Sequence, residues 1–396
     1  MAEVTVKHQL PPVKKQSQRM LALDILRGIT IAGMILVNNP GSWSYMYRPL
    51  GHAPWNGLTP TDLIFPFFMF IMGISTFISM RKFEFKMSGS LLYKIIKRTI
   101  VIFAIGLGIA WFSKLCYGIA GGKSFLEAAD SFDTIRILGV MPRLALCYGA
   151  ASIIVLLLRC KHILWAVATL LVGYGIILLV DEYGLEFSNQ NIVAVIDQTI
   201  LGVDHMYKDT IDGVKLAFDP EGLLSTIPSI AHVLIGFWAG MKMMEVKDIN
   251  MRVNRLFIIG AILMIIGFLF DYSIPINKKL WTPTYAVVTC GLASTFLALL
   301  IWIIDIKGYK KWCRFFEAFG INPLFLYVLG GVLGIIFGSF KFGVAELSIK
   351  GYVYSKFLVP MLGDETLASC VYALLFIALC WSIGYILYKK KIYIKI

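Results

Sequence analysis

Ten apolar segments, each long enough to cross a lipid bilayer, constrain the fold of this chain more than any other feature. They lie near 21–39, 62–80, 92–112, 138–158, 163–180, 226–244, 256–271, 283–304, 317–337 and 366–388. A transmembrane helix needs about 20 mostly apolar residues to cross about 30 Å of hydrocarbon. Because backbone amides in lipid must pair within their own segment, and the alternating pattern of a membrane β-barrel is absent, these segments are predicted to be helices.

The composition favours a membrane protein over a soluble one. Hydrophobic residues make up 58% of the chain and charged residues 15%, against about 45–50% and about 25% in soluble domains. The net charge of +13 would suggest nucleic-acid binding in a soluble protein, but basic residues of membrane proteins gather on the cytoplasmic side. The seven cysteines include no CxxC pair, which disfavours a zinc site, a haem or a disulfide scaffold. We therefore predict neither a metal nor a nucleic-acid partner.

The distribution of lysine and arginine predicts the orientation of the chain. One alternate set of connections, which includes both termini, holds 24 of these residues, and the opposite set holds 11. The positive-inside rule then places both termini in the cytoplasm and five loops outside. We predict an all-α integral membrane protein, a polytopic bundle of about ten transmembrane helices with both termini cytoplasmic. A cytoplasmic tail over 1–20 precedes one transmembrane domain over 21–388, which has a large extracytoplasmic loop at about 181–224, and a basic cytoplasmic tail covers 389–396.

Charged residues inside predicted spans are candidates for function, because a charge in hydrocarbon is costly. Asp24 and Arg27 are three residues apart on the first predicted helix, so they share a face and can neutralise each other. They belong either to a site or to an ion pair at the cytoplasmic edge. Arg143 has no charged neighbour on its own predicted helix. It therefore needs a carboxylate or a phosphate from elsewhere, and guanidinium geometry suits both.

Polar residues next to the predicted outer face form a second group of candidates. Asn38 and Asn39 end the first span, where amides either line a cavity or belong to a helix stop and turn. His52 stands in an aromatic-rich outer loop shortly before Asp62, and a neutral imidazole can take a proton near neutral pH. By composition alone an outer-loop histidine is more often a surface residue. His205 is a second outer-loop candidate.

The remaining patterns are weaker. Asp219 and Glu221 precede the sixth span, where acidic residues are typical of a helix start, although two carboxylates at that spacing also suit sugar hydroxyls. Glycines four residues apart, at Gly236-Gly240 and along Gly330-Gly334-Gly338, favour close helix packing. No serine-hydrolase, nucleotide-binding or metalloprotease motif appears in the context that it would require.

Several short runs occur in the order in which one enzyme family has them. They are Leu23-Asp24-Ile25-Leu26-Arg27-Gly28, His52-Ala53-Pro54-Trp55-Asn56-Gly57-Leu58-Thr59, Asp62-Leu63-Ile64-Phe65-Pro66, Ile71-Met72-Gly73, Ile196-Asp197 with Asp204-His205, Asp219-Pro220-Glu221-Gly222-Leu223-Leu224-Ser225-Thr226-Ile227, Ile276-Asn277-Lys278-Lys279-Leu280-Trp281 and Gly320-Ile321-Asn322-Pro323. From residue 21 to about 330 the chain thus resembles the membrane domain of the heparan-α-glucosaminide N-acetyltransferase family, a group of transmembrane acetyl-CoA-dependent sugar acetylases.

The resemblance implies an activity and a catalytic residue. The catalytic histidine of the family lies in a His-Ala-x-Trp-Asn-Gly motif, which corresponds to His52 here. The resemblance implies acetyl-CoA as the donor and the amine of an extracytoplasmic glucosamine-type sugar as the acceptor. His52 would serve as a general base or as a transient carrier of the acetyl group. The resemblance also implies a homodimer. We expect a multi-pass protein of a bacterial inner membrane.

Further residues are assigned around this chemistry as hypotheses. Asp62 is expected to orient the imidazole, and Asn38, Asn39 or Asn322 to donate a hydrogen bond to the developing oxyanion, with Asn39 placed among the catalytic residues. Acetyl-CoA, arriving from the cytoplasm, is expected to contact Asp24, Arg27, Asn38, Arg143 and Asn322. The acceptor, arriving from outside, is expected to contact Trp55, Asn56, His205, Asp219, Glu221 and Trp281.

Two other classes of function stay open at this point. A bundle of ten helices with polar groups in its core also suits a secondary transporter, for example of amino sugars, although no pair of related halves is visible in the sequence. An enzyme that adds O-acetyl groups to another extracytoplasmic glycan is a second alternative. An assay that follows a labelled acetyl group separates these alternatives.

Overall fold

The structure is a computed structural model that describes residues 20–158, 160–342 and 346–394. Residues 1–19 of the predicted N-terminal tail and residues 395–396 of the predicted C-terminal tail lie outside the described residues. The helices are α1 (Leu21–Asn38), α2 (Pro60–Arg81), α3 (Gly89–Ala120), α4 (Phe125–Ala129), α5 (Val140–Leu158), α6 (Ile163–Val180), α7 (Ile192–Leu201), α8 (Thr226–Met244), α9 (Ile249–Phe270), α10 (Pro283–Ile301), α11 (Cys313–Ile321), α12 (Pro323–Ser339), α13 (Ile349–Tyr352), α14 (Val359–Leu362) and α15 (Glu365–Lys389).

Strands are few and short in the described part of the chain. One antiparallel hairpin consists of β1 (Lys208–Ile211) and β2 (Val214–Ala217), and a second consists of β3 (Lys341–Phe342) and β4 (Leu347–Ser348). Short 3₁₀ turns cover Arg48–Leu50, Phe132–Thr134, Cys160–His162 and Val203–His205, and π-helical turns cover Trp302–Ile306 and Val353–Leu358. The first hairpin and α7 both fall within the long loop predicted at about 181–224.

Nine helices of the described residues are long and apolar enough to cross a membrane. They are α1, α2, α3, α5, α6, α8, α9, α10 with its π-helical extension, and α15, and each coincides with a predicted span. The all-α, multi-pass membrane architecture is therefore confirmed. The orientation of the termini stays a prediction from the distribution of basic residues.

The predicted span at 317–337 is not one straight helix. It is divided between α11 and α12, whose axes differ by 87°. The break falls at Asn322, which has φ −122° and ψ 57°, directly before Pro323 at the start of α12. Proline lacks an amide hydrogen, and its ring drives the preceding residue out of the helical region. The hydropathy of the sequence does not reveal this break, because both halves are apolar.

Glycines allow close contacts between helices at several places, two of which involve α2 and α1. Gly236 of α8 lies against the backbone of Phe70, and Gly240 lies against Ile74, so that a side chain at Gly236 would collide with α2. This confirms close packing for the first predicted glycine pair. At the start of α1, Gly28 lies against the backbone oxygen of Phe316 in α11, which brings the bent α11–α12 pair onto the first helix.

Pro66 inside α2 explains a contact near the predicted outer face. Proline cannot donate to the carbonyl four residues earlier, which here belongs to Asp62. The hydroxyl of Tyr285, buried in α10, donates to that carbonyl oxygen at 2.6 Å. A neighbouring helix thus satisfies a backbone group that the proline leaves unpaired, as bundles in lipid require. The same contact ties α10 to the residue that holds His52.

Candidate active site

His52 and Asp62 form a hydrogen-bonded pair at the end of α2. The Nδ1 atom of His52 lies 2.7 Å from Oδ1 of Asp62. The imidazole side chain is 46% exposed, whereas the carboxylate is 1% exposed. A carboxylate that accepts from Nδ1 keeps the proton on that nitrogen and leaves Nε2 as the acceptor. The pair therefore presents a proton-accepting nitrogen to the surface from a fixed ring.

The loop before α2 holds the carboxylate in place. Thr59 caps the helix: its side-chain oxygen accepts from the backbone N–H of Asp62, and the carboxylate accepts from the backbone N–H of Thr59 at 3.1 Å. The second carboxylate oxygen also accepts from the backbone N–H of Ala53, the residue after His52, at 3.1 Å. A capping box of this kind is a local sequence signal, Thr-x-x-Asp, with a reciprocal pair of hydrogen bonds. It orients Asp62 toward the histidine.

A tight turn between α9 and α10 contacts this loop. The backbone N–H of Gly57 donates to the carbonyl of Ile276 at 2.8 Å, and the side chain of Asn277 donates to Asn56 at 3.1 Å. The turn places Lys278 beside the imidazole, with Nζ 3.0 Å from Nδ1 and 3.2 Å from Nε2 of His52. The same ammonium lies 3.7 Å from Asp62. A lysine thus completes the arrangement around the histidine.

Trp281 anchors this turn in the protein interior. It is fully buried, it has a positive φ of 52°, and its ring packs edge-on against Phe65 and Tyr285. A bulky residue in the left-handed region is uncommon and is held there by its surroundings. Since the indole is enclosed by protein, Trp281 presents no ring face for a sugar in this structure.

Arg136 gathers the two acidic residues that precede α8. It donates to Asp219 at 2.9 Å and 2.5 Å and to Glu221 at 2.7 Å. Asp219 also accepts from the backbone N–H of Tyr207, whose ring lies under the guanidinium. Burial alone would raise the pKa of Glu221, but Arg136 and, to a lesser degree, Lys278 lower it below its usual value. Glu221 is therefore paired with Arg136, and its carboxylate also feels the charge of the lysine beside His52.

A cavity of about 520 Å³ adjoins this cluster. Its walls are contributed mainly by α1, α3, α5 and α12, and they include Asn38, Asn39, Lys114, Arg136, Tyr327 and Lys350. The glycines at 330, 334 and 338 of α12 line the cavity as well, and each also lies against a side chain: Gly330 against Ile35 of α1, Gly334 against Asn39 directly after α1, and Gly338 against Tyr117 of α3. His52 does not belong to the cavity wall, whereas Arg136, the partner of Asp219 and Glu221, does.

Arg143 is buried completely below the Asp219–Glu221 segment. It donates to the carbonyl of Gly222 at 2.7 Å, to Ser229 at 3.2 Å and to Ser225. Its guanidinium carbon lies 5.3 Å from the ring centroid of Trp281. The predicted need for a carboxylate or phosphate is thus met here by neutral acceptors and an aromatic face. In this position Arg143 organises the segment that carries Glu221.

Asp197 of α7 is a buried carboxylate in the same segment. Its Oδ1 accepts from the backbone N–H groups of Leu223 and Leu224 at 2.9 Å and 3.1 Å. Its Oδ2 lies against Gly222 so closely that no side chain fits there. Burial raises the pKa of Asp197 to about 6, although both amides oppose this shift. The residue is a structural anchor for the loop before α8.

This raised pKa predicts a pH-dependent stability. A carboxyl that is harder to ionise in the folded state stabilises the protein below its unfolded pKa of 3.8, and this contribution is lost as the pH rises through about 6. A difference of about two pH units corresponds to roughly 3 kcal/mol. We expect Asp197→Asn, which keeps the accepting oxygen, to remove this loss. Thermal unfolding of both proteins in detergent between pH 4 and 7 measures the difference.

Other carboxylates also make the stability depend on pH in that range. The quantity to compare is therefore the unfolding temperature of the variant minus that of the unsubstituted protein. We expect this difference to rise with pH. A constant difference across the range would contradict the assignment of a raised pKa to Asp197.

Three other residues that were predicted to contact the acceptor sugar lie near the site. Trp55 donates to the carbonyl of Leu185 at 2.9 Å and packs against Phe187 and Phe218. Asn56 is exposed in the His52 loop and accepts from the 277–282 turn. His205 contacts the carbonyl of Ile135 at 2.8 Å, which is next to Arg136. Trp55 and His205 thus hold loops together around the site.

Asp24, Arg27 and Asn322 lie at the opposite end of the bundle. Arg27 pairs with Asp24 at 3.0 Å, as their spacing predicted, and also donates to Ser75. Asn322 bonds to the backbone of Ile392 and Ile394 in the C-terminal segment. Asp24 and Arg27 precede Asn38 by 14 and 11 residues of α1, which at about 1.5 Å per residue places them roughly 21 Å and 17 Å from it along the helix axis. Among the three asparagines predicted near the oxyanion, only Asn38 and Asn39 therefore share the end of the bundle that carries His52.

Three residues of the site were not singled out from the sequence. Lys278 and Arg136 both fall in predicted outer loops, where basic residues are rare, and that rarity was the available signal. Tyr285 carries no such signal, because a tyrosine near the end of an apolar helix is ordinary. The described residues contain no group of three or more His, Cys, Asp or Glu side chains placed to hold a metal ion.

The chain is similar to two curated proteins named heparan-α-glucosaminide N-acetyltransferase. It is 29% identical to the human protein, over 98% of this chain and 60% of that protein, and 27% identical to the mouse protein, over 97% and 61%. The chain thus spans about 60% of the length of the curated relatives it matches. No family model matches the chain. The similarity extends along nearly the whole chain and confirms the resemblance found in the motifs.

Proposed function

We propose that this relative of the heparan-α-glucosaminide N-acetyltransferases is a membrane-embedded acetyltransferase. In this proposal it moves the acetyl group of cytoplasmic acetyl-CoA to the amine of an extracytoplasmic glucosamine-type sugar. A homodimeric assembly and a location in a bacterial inner membrane are parts of the same proposal. The curated names of the relatives support the acetyltransferase activity, and the apolar helices of the described residues support its place in a membrane.

The observation that carries the proposal is the His52–Asp62 pair. An exposed imidazole hydrogen-bonded to a buried, multiply bonded carboxylate is a common way to prepare a base or nucleophile. Within the described residues, the only titratable side chains that pair with the Asp62 carboxylate are those of His52, at 2.7 Å, and Lys278, at 3.7 Å. Its position therefore serves the histidine. A lone surface histidine would have no need of such a support.

Acetyl transfer to an amine requires a deprotonated nitrogen next to a polarised thioester. His52 Nε2 takes a proton from the acceptor amine while the amine nitrogen attacks the thioester carbonyl carbon. The carbon–sulfur bond then breaks. The thiolate leaves and receives the proton from the imidazolium. Alternatively, Nε2 itself attacks the thioester carbonyl carbon, the carbon–sulfur bond breaks and the thiolate leaves. The amine then attacks the acetyl-imidazole, the bond from the carbonyl carbon to Nε2 breaks, and the proton lost by the amine goes to the thiolate. Asp62 fixes the same tautomer for both routes.

The cavity beside Arg136 supports binding of a substrate at the same end of the bundle as this pair. Pockets for small molecules are commonly about 300–1,000 Å³, and a volume of about 520 Å³ lies in that range. Asn38 and Asn39 offer uncharged hydrogen-bonding groups at one wall, and Arg136 presents a cation held by Asp219 and Glu221 at another. We propose that a sugar or the thioester arm occupies this space during the reaction, with the reacting atoms near His52.

The decisive experiment follows a labelled acetyl group. Protein reconstituted in liposomes is supplied with [¹⁴C]acetyl-CoA on one side and glucosamine on the other, and the products are separated and treated with mild base. We expect label in a base-stable amide of the sugar. In a parallel assay with N-acetylglucosamine, whose amine is blocked, label in a base-labile ester would instead favour O-acetylation of a glycan.

The same liposomes test transport. Movement of unmodified glucosamine into the lumen with no acetylated product would favour a transporter and contradict the proposal. Supplying acetyl-CoA on only the inside or only the outside of oriented vesicles reports which face admits the donor. We expect product only when donor and acceptor are on opposite sides.

A further inference from the structure

The position of Lys278 relative to His52 is unusual for a lysine in a loop. Its Nζ lies 3.0 Å and 3.2 Å from the two ring nitrogens of His52, and its side chain is only 14% exposed. Nε2 is the nitrogen left to accept a proton. Any group that reacts at Nε2 therefore enters the space next to this ammonium.

The backbone of Lys278 is held firmly, so that only the side chain can move. The carbonyl of Lys278 accepts from the N–H of Trp281 at 3.0 Å, and the N–H of Thr282 donates to the carbonyl of Asn277 at 3.0 Å. The side chain of Asn277 accepts from Leu280 at 2.9 Å and is itself fully buried. A four-carbon stem on a rigid turn lets the ammonium follow a charge that shifts by a few ångströms.

The charges around Lys278 come from three other elements. Asp62 belongs to α2, His52 to the preceding loop and Glu221 to the segment before α8, while Lys279 is the neighbour on the same turn. Burial lowers the pKa of Lys278 below its usual value, and Asp62 and Glu221 oppose this shift. Lys279 turns away and pairs with Asp209 at 2.5 Å. Two adjacent lysines thus have different surroundings.

We propose that Lys278 is a catalytic residue of acetyl transfer, whose ammonium donates a hydrogen bond to the thioester oxygen as that oxygen gains negative charge. This inference rests on the proposed acetyltransferase function. As the nucleophilic nitrogen bonds to the carbonyl carbon, the electron pair of the C=O bond moves onto oxygen next to Nζ. When the intermediate collapses, that pair reforms the C=O bond, the C–S bond breaks and the thiolate leaves. Lys278 keeps its protons throughout.

The test compares Lys278→Met and Lys278→Arg with Lys279→Met in the full-length protein. Loss of one donor to a developing oxyanion typically costs about 10²–10³-fold in kcat. We expect kcat for acetyl transfer to glucosamine to fall about 100-fold in Lys278→Met, with KM for acetyl-CoA changed less than threefold. Lys279→Met removes the same charge one residue away, and we expect it to keep kcat within threefold.

The pH profile separates a catalytic cation from a structural one. In the unsubstituted protein kcat is expected to fall at alkaline pH as Lys278 loses its proton. An arginine stays protonated throughout this range, so Lys278→Arg is expected to retain part of the activity and to shift that fall to higher pH. This measurement needs only the arginine variant, and it remains informative if the methionine variant does not fold.

The outcomes are distinguishable. No acetyl transfer by the unsubstituted protein overturns the proposed function itself. An active protein in which Lys278→Met and Lys279→Met have equal kcat overturns only the role of Lys278. An alkaline limb that is the same in Lys278→Arg and in the unsubstituted protein also overturns it.

Discussion

Replacing His52 with alanine is expected to lower kcat for acetyl transfer by about 10²–10⁴-fold, the usual contribution of a positioned general base. The imidazole is nearly half exposed and bonds only to the side chains of Asp62 and Lys278 in the described structure, so its removal leaves the helix contacts intact. We expect the melting temperature in detergent to change little. Initial rates with labelled acetyl-CoA and glucosamine measure the effect.

His162→Ala is the matched control for this change. His162 is exposed in the connection between α5 and α6, a connection predicted to face the cytoplasm. We expect this variant to keep full activity. Comparable rates for His52→Ala and His162→Ala would remove the basis of the mechanism. A burst of acetylated protein before turnover, lost in His52→Ala, would favour the acyl-imidazole route over simple base catalysis.

Exchanging Asp62 for asparagine is expected to cause a loss of up to about 10⁴-fold, the size of the effect of this exchange in the serine-protease triad. The N–H groups of Ala53 and Thr59 both donate to Oδ2 of Asp62, so an asparagine must place its oxygen there. Its amide nitrogen then faces Nδ1 of His52 and donates to it. The ring is forced to carry its proton on Nε2 and can no longer act as a base.

Asp204→Asn is the control, because Asp204 is exposed and pairs with Lys208 on the surface at 3.4 Å. It loses the same charge without touching the site. We expect kcat to fall in Asp62→Asn with little change in KM, because orientation of the base rather than binding is lost. If Asp62→Asn and Asp204→Asn had the same kcat, the pair would be no more than a helix cap.

Some parts of the site were accessible from local sequence. The Thr59–Asp62 cap and Pro66 are short-range signals, and each specifies the backbone of a few neighbouring residues. The pairing of Asp24 with Arg27 follows from helical spacing alone. The role proposed for His52 came from the resemblance of its motif to that of a known enzyme family. The composition of the loop alone favoured a surface histidine.

Other parts depend on contacts between distant segments. Lys278 reaches His52 across 226 residues, and Arg136 reaches Asp219 across 83. No periodicity connects such positions. The two glycine series illustrate the same limit, because Gly236-Gly240 lies against the backbone of α2 whereas the series along α12 lies against side chains in or directly after α1 and in α3, beside the cavity. Identical spacing permits close approach in both, but the neighbouring helix determines which atoms lie against each glycine.

The sequence by itself determined that this chain is a helical membrane protein, where its spans lie and, through its basic residues, which orientation to expect. Those properties follow from the transfer of side chains and backbone between water and lipid, which each segment undergoes largely on its own. Only the tertiary structure decided that the apolar stretch at 317–337 bends at Asn322, that Trp281 is enclosed and that Lys278 stands beside His52. These features depend on how the helices and loops pack together, and such packing is specified by many distant residues at once rather than by any one segment.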